Sequence, residues 1–130
     1  MKRWAFLLLL LAPGLSPPAL ADVYLVAHPS LTLSAEDARD AFLGEKQFAG
    51  GVKLVPLDNA AAQGEFLAKV LGMDASRYGT LWTKKGFRDG LNAPAVKGND
   101  ADVLRTVRST PGALGYVTSP PSGVTVVRKY

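Results

Sequence analysis

The chain has no cysteine and only one histidine, His28, among its 130 residues. The first absence excludes a disulfide framework, a thiolate metal site, a cysteine nucleophile and a lipoprotein anchor. The second excludes a histidine-rich metal centre and leaves a Ser-His-Asp triad nowhere to form except around His28. No metal and no cofactor are expected, and stability has to come from packing. Long apolar runs are scarce as well. The run from Trp4 to Ala12 is about half of the roughly 20 residues that a membrane-spanning helix needs. It follows Lys2 and Arg3 and precedes a proline-rich break and Ala19-Leu20-Ala21, the pattern of a cleaved secretory signal peptide over residues 1–21. A mature protein beginning at Asp22, exported to the periplasm and without a membrane span, is the expectation.

An excess of charge is also lacking. The formal net charge is +4, and Lys2 and Arg3 supply two of those charges, so nucleic-acid binding gains little support and no nucleic-acid partner is expected. Residues 22–130 suffice for one domain with one core and are too few for two independent lobes.

What is present reads as alternating strands and helices. Asp22–His28 is β-rich and almost continuously apolar, as in a central strand covered on both faces. Pro29–Leu33 is a loop, and Ser34-Ala-Glu-Asp37 opens a helix in capping-box style, with Ala38, Ala41 and Phe42 inward and Gly44 at its end. Lys53–Leu57 is a second strand, which Pro56 assigns to a sheet edge or a strand end because it lacks a ladder donor. Asp58 or Asn59 caps the next helix, in which Phe66, Leu67, Val70 and Leu71 repeat at three-and-four spacing up to Gly72. A third helix begins at Asp74 and puts Tyr78, Leu81 and Trp82 on one side.

Residues 86–98, GFRDGLNAPAVKG, carry three glycines and one proline and read as an irregular loop, long enough to be functional or merely mobile. Asn99 caps a short helix with Asp100 and Asp102 in its first turn, where they favour the helix dipole, and with Val103, Leu104 and Val107 inward. In Thr110–Val117, TPGALGYV, Pro-Gly makes a tight turn, Gly115 allows a close approach and Leu-Gly-Tyr-Val begins a strand. Val124–Val127 offers the last strand. The order β-α-β-α-α-α-β-β predicts an α/β sandwich around a partly parallel sheet.

These segments, taken in order, resemble a known family. The strand ending in His28-Pro29-Ser30, the run Asp40-Ala41-Phe42-Leu43-Gly44, the helix ending Val70-Leu71-Gly72-Met73, Trp82, the glycine-rich loop with Pro94 and the closing PGALGYV look like the phosphate-type periplasmic substrate-binding proteins of ABC transporters. The resemblance covers residues 22–120. It implies a class II periplasmic-binding-protein-like α/β fold, here a single lobe with a mixed, mostly parallel sheet flanked by helices, spanning residues 22–130. Full members close two lobes on their ligand, and this chain matches only the second. The resemblance also implies non-catalytic capture of a small oxyanion such as phosphate, with a membrane transporter or sensor subunit as partner. In full members an Arg and a Ser-Gly-Thr segment start the helix after the second strand. Here that stretch is Leu57–Gly64, LDNAAAQG, which has neither, and Asp58 is expected to repel an anion.

In open α/β sheets, ligands bind at the turns beyond the carboxyl ends of the strands. The candidate ligand-binding residues are therefore Ser30 and Thr32 in the first turn, Asn59 and Gln63 in the second, and Arg88 in the glycine-rich loop. Each has a plainer role: Ser30 and Thr32 as turn formers, Asn59 as a helix cap, and Arg88 with Lys84 and Lys85 as a solvated helix end. His28 suits a structural or solvent-facing position more readily than a ligand contact, and Tyr78 and Trp82 suit the core more readily than ligand stacking. No paired carboxylates, metal cluster or nucleophile elbow is visible, so no catalytic residues and no enzymatic activity are expected. Two functions remain: a solute-binding protein for a small oxyanion, and an accessory module that has lost the small-molecule site and docks on a membrane sensor or transporter.

Overall fold

The computed structural model describes residues 21–130; the signal peptide expected over residues 1–21 lies, but for Ala21, outside the described residues. Local chemistry sets the helix starts. Ser34 accepts from the Asp37 N–H at the start of α1 (Ala35–Phe42), and Asp74 accepts from the Arg77 N–H at the start of α3 (Ala75–Asp89). Asn99 accepts from the Asp102 N–H at the start of α4 (Asp100–Ser109). Each cap meets one of the N–H groups that a first helical turn leaves unpaired. The fourth helix, α2, is α-helical over Gln63–Phe66 and π-wound over Leu67–Leu71, where Gly72 ends it in a left-handed conformation.

Five strands form the main sheet: β1 (Tyr24–Ala27), β4 (Val55–Asn59), β5 (Ala95–Lys97), β6 (Ala113–Val117) and β7 (Thr125–Lys129), in the order β5-β4-β6-β1-β7. A small hairpin, β2 (Phe48–Ala49) with β3 (Val52–Lys53), stands apart from it. β4 is parallel to both β5 and β6, whereas β1 is antiparallel to β6 and to β7. Four strands therefore run one way and β1 alone runs the other, which gives the expected mixed, mostly parallel sheet flanked by helices.

Alternation along the strands sorts side chains into two cores. Leu25, Ala27, Leu114 and Tyr116 face α1, α2 and α3, where they meet Phe42, Phe66, Leu67, Tyr78 and Trp82. Val26, Leu57, Ala113 and Val117 face α4 and meet Val103 and Val107. Within the apolar Asp22–His28 segment, Leu25, Val26 and Ala27 are buried on both faces for this reason, while Asp22 is exposed.

Three expectations need correction, one of them in part, and one element is added. Of the two positions expected for Pro56, the sheet edge is wrong, because β4 lies between β5 and β6, and the strand end holds, because Pro56 is the second residue of β4. Val55 donates to Gly112 on the β6 side, so the missing donor of Pro56 faces the β5 side, where pairing starts only at Leu57. Residues 86–98 are not one loop: α3 continues through Asp89, and Ala95–Lys97 is strand β5. Neither Asp58 nor Asn59 caps α2, whose N-cap position is Ala62 and carries no side-chain cap. The hairpin β2–β3 has no signature in the sequence, since two-residue strands leave almost no periodicity to read.

PGALGYV owes its two glycines to crowding. Gly112 has φ +90°, and a Cβ there would overlap the Lys53 carbonyl oxygen. A Cβ on Gly115 would come within 2.7 Å of Val103 Cγ1 on α4. We expect Gly115→Ala to lower stability by about 1–3 kcal/mol through overpacking, read by urea denaturation. An unchanged midpoint would show that α4 shifts freely on the sheet and that the close approach is not a constraint.

Candidate functional site

Leu57-Asp58-Asn59-Ala60-Ala61-Ala62-Gln63-Gly64 carries the chain off the carboxyl end of β4 and into α2, the place where a sheet of this kind takes ligands. Successive strand residues point to opposite faces, so Leu57 enters the α4 core while Asp58 turns toward α3. Asp58 is 2% exposed, and its carboxylate accepts from Tyr78 Oη at 2.9 Å and from Tyr116 Oη at 2.7 Å. Burial holds the Asp58 pKa above the usual carboxylate value, outweighing the hydrogen bonds from Tyr116, Tyr78 and Gln63 that favour the charge. The same burial, reinforced by the Asp58 charge, pushes both tyrosine hydroxyls well above their ordinary value. Neither phenol ionises near neutrality, so both serve as donors.

Asn59, fully buried, points the other way. Its Nδ2 donates to Asp100 Oδ1 at 2.8 Å and to the Tyr116 carbonyl at 3.0 Å, and its Oδ1 accepts from the Ala61 N–H at 3.0 Å. It thus sets the turn out of β4 and ties it to the start of α4. Asp100 is the partner that completes this edge, since its Oδ2 accepts from the Thr118 N–H at 3.0 Å, Thr118 Oγ1 at 3.2 Å and the Ser119 N–H at 3.1 Å. α2 opens on the same edge with no side chain capping its first-turn N–H groups.

The five candidate residues do not converge. Asn59 and Gln63 share the carboxyl edge, Asn59 at the level of Tyr116 and Gln63 beside Asp58. Ser30 and Thr32 lie at the opposite edge: β1 runs antiparallel to β6, so the turn after β1 comes out beside Ala113, where β6 begins. Ser30 is engaged there with His28, its N–H donating to His28 Nδ1 at 3.1 Å and its Oγ 2.7 Å from the same atom, a local turn in keeping with the structural role of both. Arg88 is exposed in the last turn of α3, not in a loop, where a cation complements the helix dipole. Of its basic neighbours, Lys84 is exposed, and Lys85 pairs with Glu45 at 3.3 Å.

Trp82 and Tyr78 are core residues, with Trp82 Nε1 donating to the Phe42 carbonyl at 3.2 Å. A groove of about 470 Å³ runs between Lys46, Lys53–Pro56, Trp82 and Leu91–Ala95, at the amino ends of β4 and β5, and none of the five candidates lines it.

Asp100, Thr118, Ser119 and the phenols of Tyr78 and Tyr116 were missed as parts of this edge. In the sequence Asp100 reads as a dipole-favouring residue and TPGALGYV as a glycine-dependent turn and strand, and nothing local signals that the carboxylate reaches across 18 residues to Thr118. No group of three or more His, Cys, Asp and Glu suited to a metal ion occurs among the described residues.

The Asp58 burial gives a pH signature. A carboxylate whose folded pKa is raised stabilises the fold fully below its unfolded pKa, about 4 for an aspartate, and that contribution is lost as pH rises through the folded pKa. We therefore expect Asp58→Asn to gain stability relative to the parent as pH is raised from about 4, measured by urea denaturation at several pH values. A constant difference between the two proteins across that range would show that Asp58 titrates alike in both states.

No protein-family model matches the sequence, and no curated protein matches it. Among solved structures, the chain is similar to a crystal structure of a phosphate ABC transporter substrate-binding protein from Clostridium perfringens with bound phosphate. The TM-score is 0.62 at 14% sequence identity, over 90% of this chain and 49% of that one. The chain therefore spans about half the length of the protein it matches and has the fold of a substrate-binding-protein lobe.

Proposed function

We propose that the chain is a non-catalytic, solute-binding-type lobe that works outside the cytoplasm and takes a small oxyanion such as phosphate at the carboxyl edge of its sheet. The observation that supports this most is the fold itself, a lobe like one half of a protein crystallised with phosphate. The edge offers part of the chemistry to go with it: Gln63 and the first-turn N–H groups of α2, which no side chain caps, follow closely on β4, while both Asn59 amide hydrogens are held by Asp100 and the Tyr116 carbonyl. A small-ligand pocket ordinarily encloses about 70–90% of its ligand, and one lobe supplies one wall. A second lobe, presented by a transporter subunit or another protein, completes the site in this reading. No described helix is long and apolar enough to cross a membrane.

A second reading, an accessory module that docks on a membrane sensor or transporter without a small ligand, draws support from the same edge. Leu57–Gly64 has no cation and no hydroxyl, Asp58 is buried beneath it, and the donors of Thr118 and Ser119 are already engaged by Asp100. Calorimetric titration of the protein with phosphate in phosphate-free buffer, repeated with sulfate, separates the two. The oxyanion reading expects saturable heat with a dissociation constant on the order of 1 mM, weak because only one wall is present. A flat trace to about ten times that concentration would sink it and leave the docking reading.

A further inference from the structure

Asp100 is the first residue of α4, where an acidic side chain ordinarily favours the helix dipole from solvent. Its carboxylate is instead held by groups from outside α4. Oδ1 accepts from Asn59 Nδ2 at 2.8 Å, and Oδ2 accepts from the Thr118 N–H at 3.0 Å, Thr118 Oγ1 at 3.2 Å and the Ser119 N–H at 3.1 Å. Two successive backbone N–H groups, a hydroxyl and a carboxamide thus converge on one oxyanion. Successive N–H groups turned to the same side form an anion-binding concavity, and charge-assisted hydrogen bonds of this kind are about twice as strong as neutral ones.

The cradle exists apart from the group that fills it. Asn59 is fully buried and is fixed by its bonds to the Tyr116 carbonyl and the Ala61 N–H, neither of which involves Asp100. Thr118 follows directly on β6, whose buried pairing with β1 and β4 holds its position. Ser119 is exposed, so the cradle opens to solvent on its outer side. Asp100 is the one charged component, and it arrives on a separate helix.

We propose that Asn59, Thr118 and Ser119 form an oxyanion cradle at the carboxyl edge and that Asp100 is the chain's own carboxylate filling it, so that a free oxyanion has to displace Asp100 to bind there. The inference deepens the oxyanion reading and rests on it only for the edge at which ligand is taken. A tethered carboxylate competes at a high effective concentration, and the apparent affinity for a free anion falls by the fraction of time that the cradle stands open. Once displaced, Asp100 stays close and repels the incoming charge. The match between donors and oxyanion therefore coexists with weak capture by the natural chain, and a partner that draws Asp100 away from Thr118 would raise the affinity without touching the ligand.

The test uses the full chain carrying Asp100→Gly or Asp100→Ser, changes that remove the carboxylate while leaving the donors. Each variant and the parent are titrated with inorganic phosphate and, separately, with formate, with folding followed by circular dichroism and thermal melting. The expected result is saturable binding of both anions by the variants, at least about tenfold tighter than in the parent, and a melting temperature that rises with anion in the variants alone. Adding Thr118→Val to Asp100→Ser is expected to weaken that binding severalfold. Folded variants that titrate like the parent would overturn the proposal, as would variants that are unfolded and recovered by neither anion; Asp100 is then only a structural tie. A flat parent with binding variants would uphold the cradle while ending the case for phosphate capture by the natural chain. A parent that binds phosphate as tightly as its variants would do the reverse.

Discussion

Strand β6 is the constraint on which the other parts of the structure depend. All five of its residues are buried, it pairs with β4 on one side and β1 on the other, and it feeds both cores. Every polar group on such a strand needs a partner, because a lone buried donor or acceptor costs more than a typical hydrogen bond contributes. Tyr116 shows the result. Its ring stacks on Phe66 with centroids 3.8 Å apart, its hydroxyl donates to Asp58, and its carbonyl accepts from Asn59. One residue thus joins α2, the end of β4 and the carboxyl edge. Gly115 beside it lets α4 come close enough for that helix to deliver Asp100 to Thr118.

Asp58 and Asn59 divide the two faces of this junction between them. Adjacent in a strand, they point in opposite directions, Asp58 into the α1–α3 core and Asn59 toward α4. Asp58 is a buried carboxylate with two phenols as donors, stable as a network but expensive to strip of either partner. Its carboxylate is buried and accepts from Tyr78 and Tyr116 within the core. The carboxylate that bears on the open edge is Asp100, contributed from another part of the chain. Polar residues in this region therefore serve structure first, and any ligand at the edge meets donors that the fold has already committed.

The fold was legible in the sequence where a single element shows its own chemistry. The caps at Ser34, Asp74 and Asn99, the apolar stripe of Phe66, Leu67, Val70 and Leu71, and the two-sided burial of Leu25, Val26 and Ala27 all follow from local spacing. Legibility failed where a local rule was overridden by a neighbour. Pro56 reads as an edge or strand-end residue, and only the structure shows that β4 is interior and that β5 begins one residue too late to need the donor Pro56 lacks. Gly86 and Gly90 read as loop residues, whereas Gly86 is absorbed in α3 and Gly90 closes it in a left-handed conformation.

What the sequence by itself determined is the class of architecture, an α/β order with helices between strands, and the exclusion of cysteine chemistry. It also determined which residue types stand at the turn after β4. Strand direction, and with it the site, was decided only by tertiary structure. Because β1 runs against β6, Ser30 and Thr32 emerge at one edge while Asn59 and Gln63 emerge at the other, a separation that no local pattern encodes. The contact of Asp100 with Thr118 and Ser119 is of the same kind. A hydrogen-bonding side chain is specified by what lies within about 3 Å of it, and the chain brings those atoms together only after β4, β6 and α4 have packed.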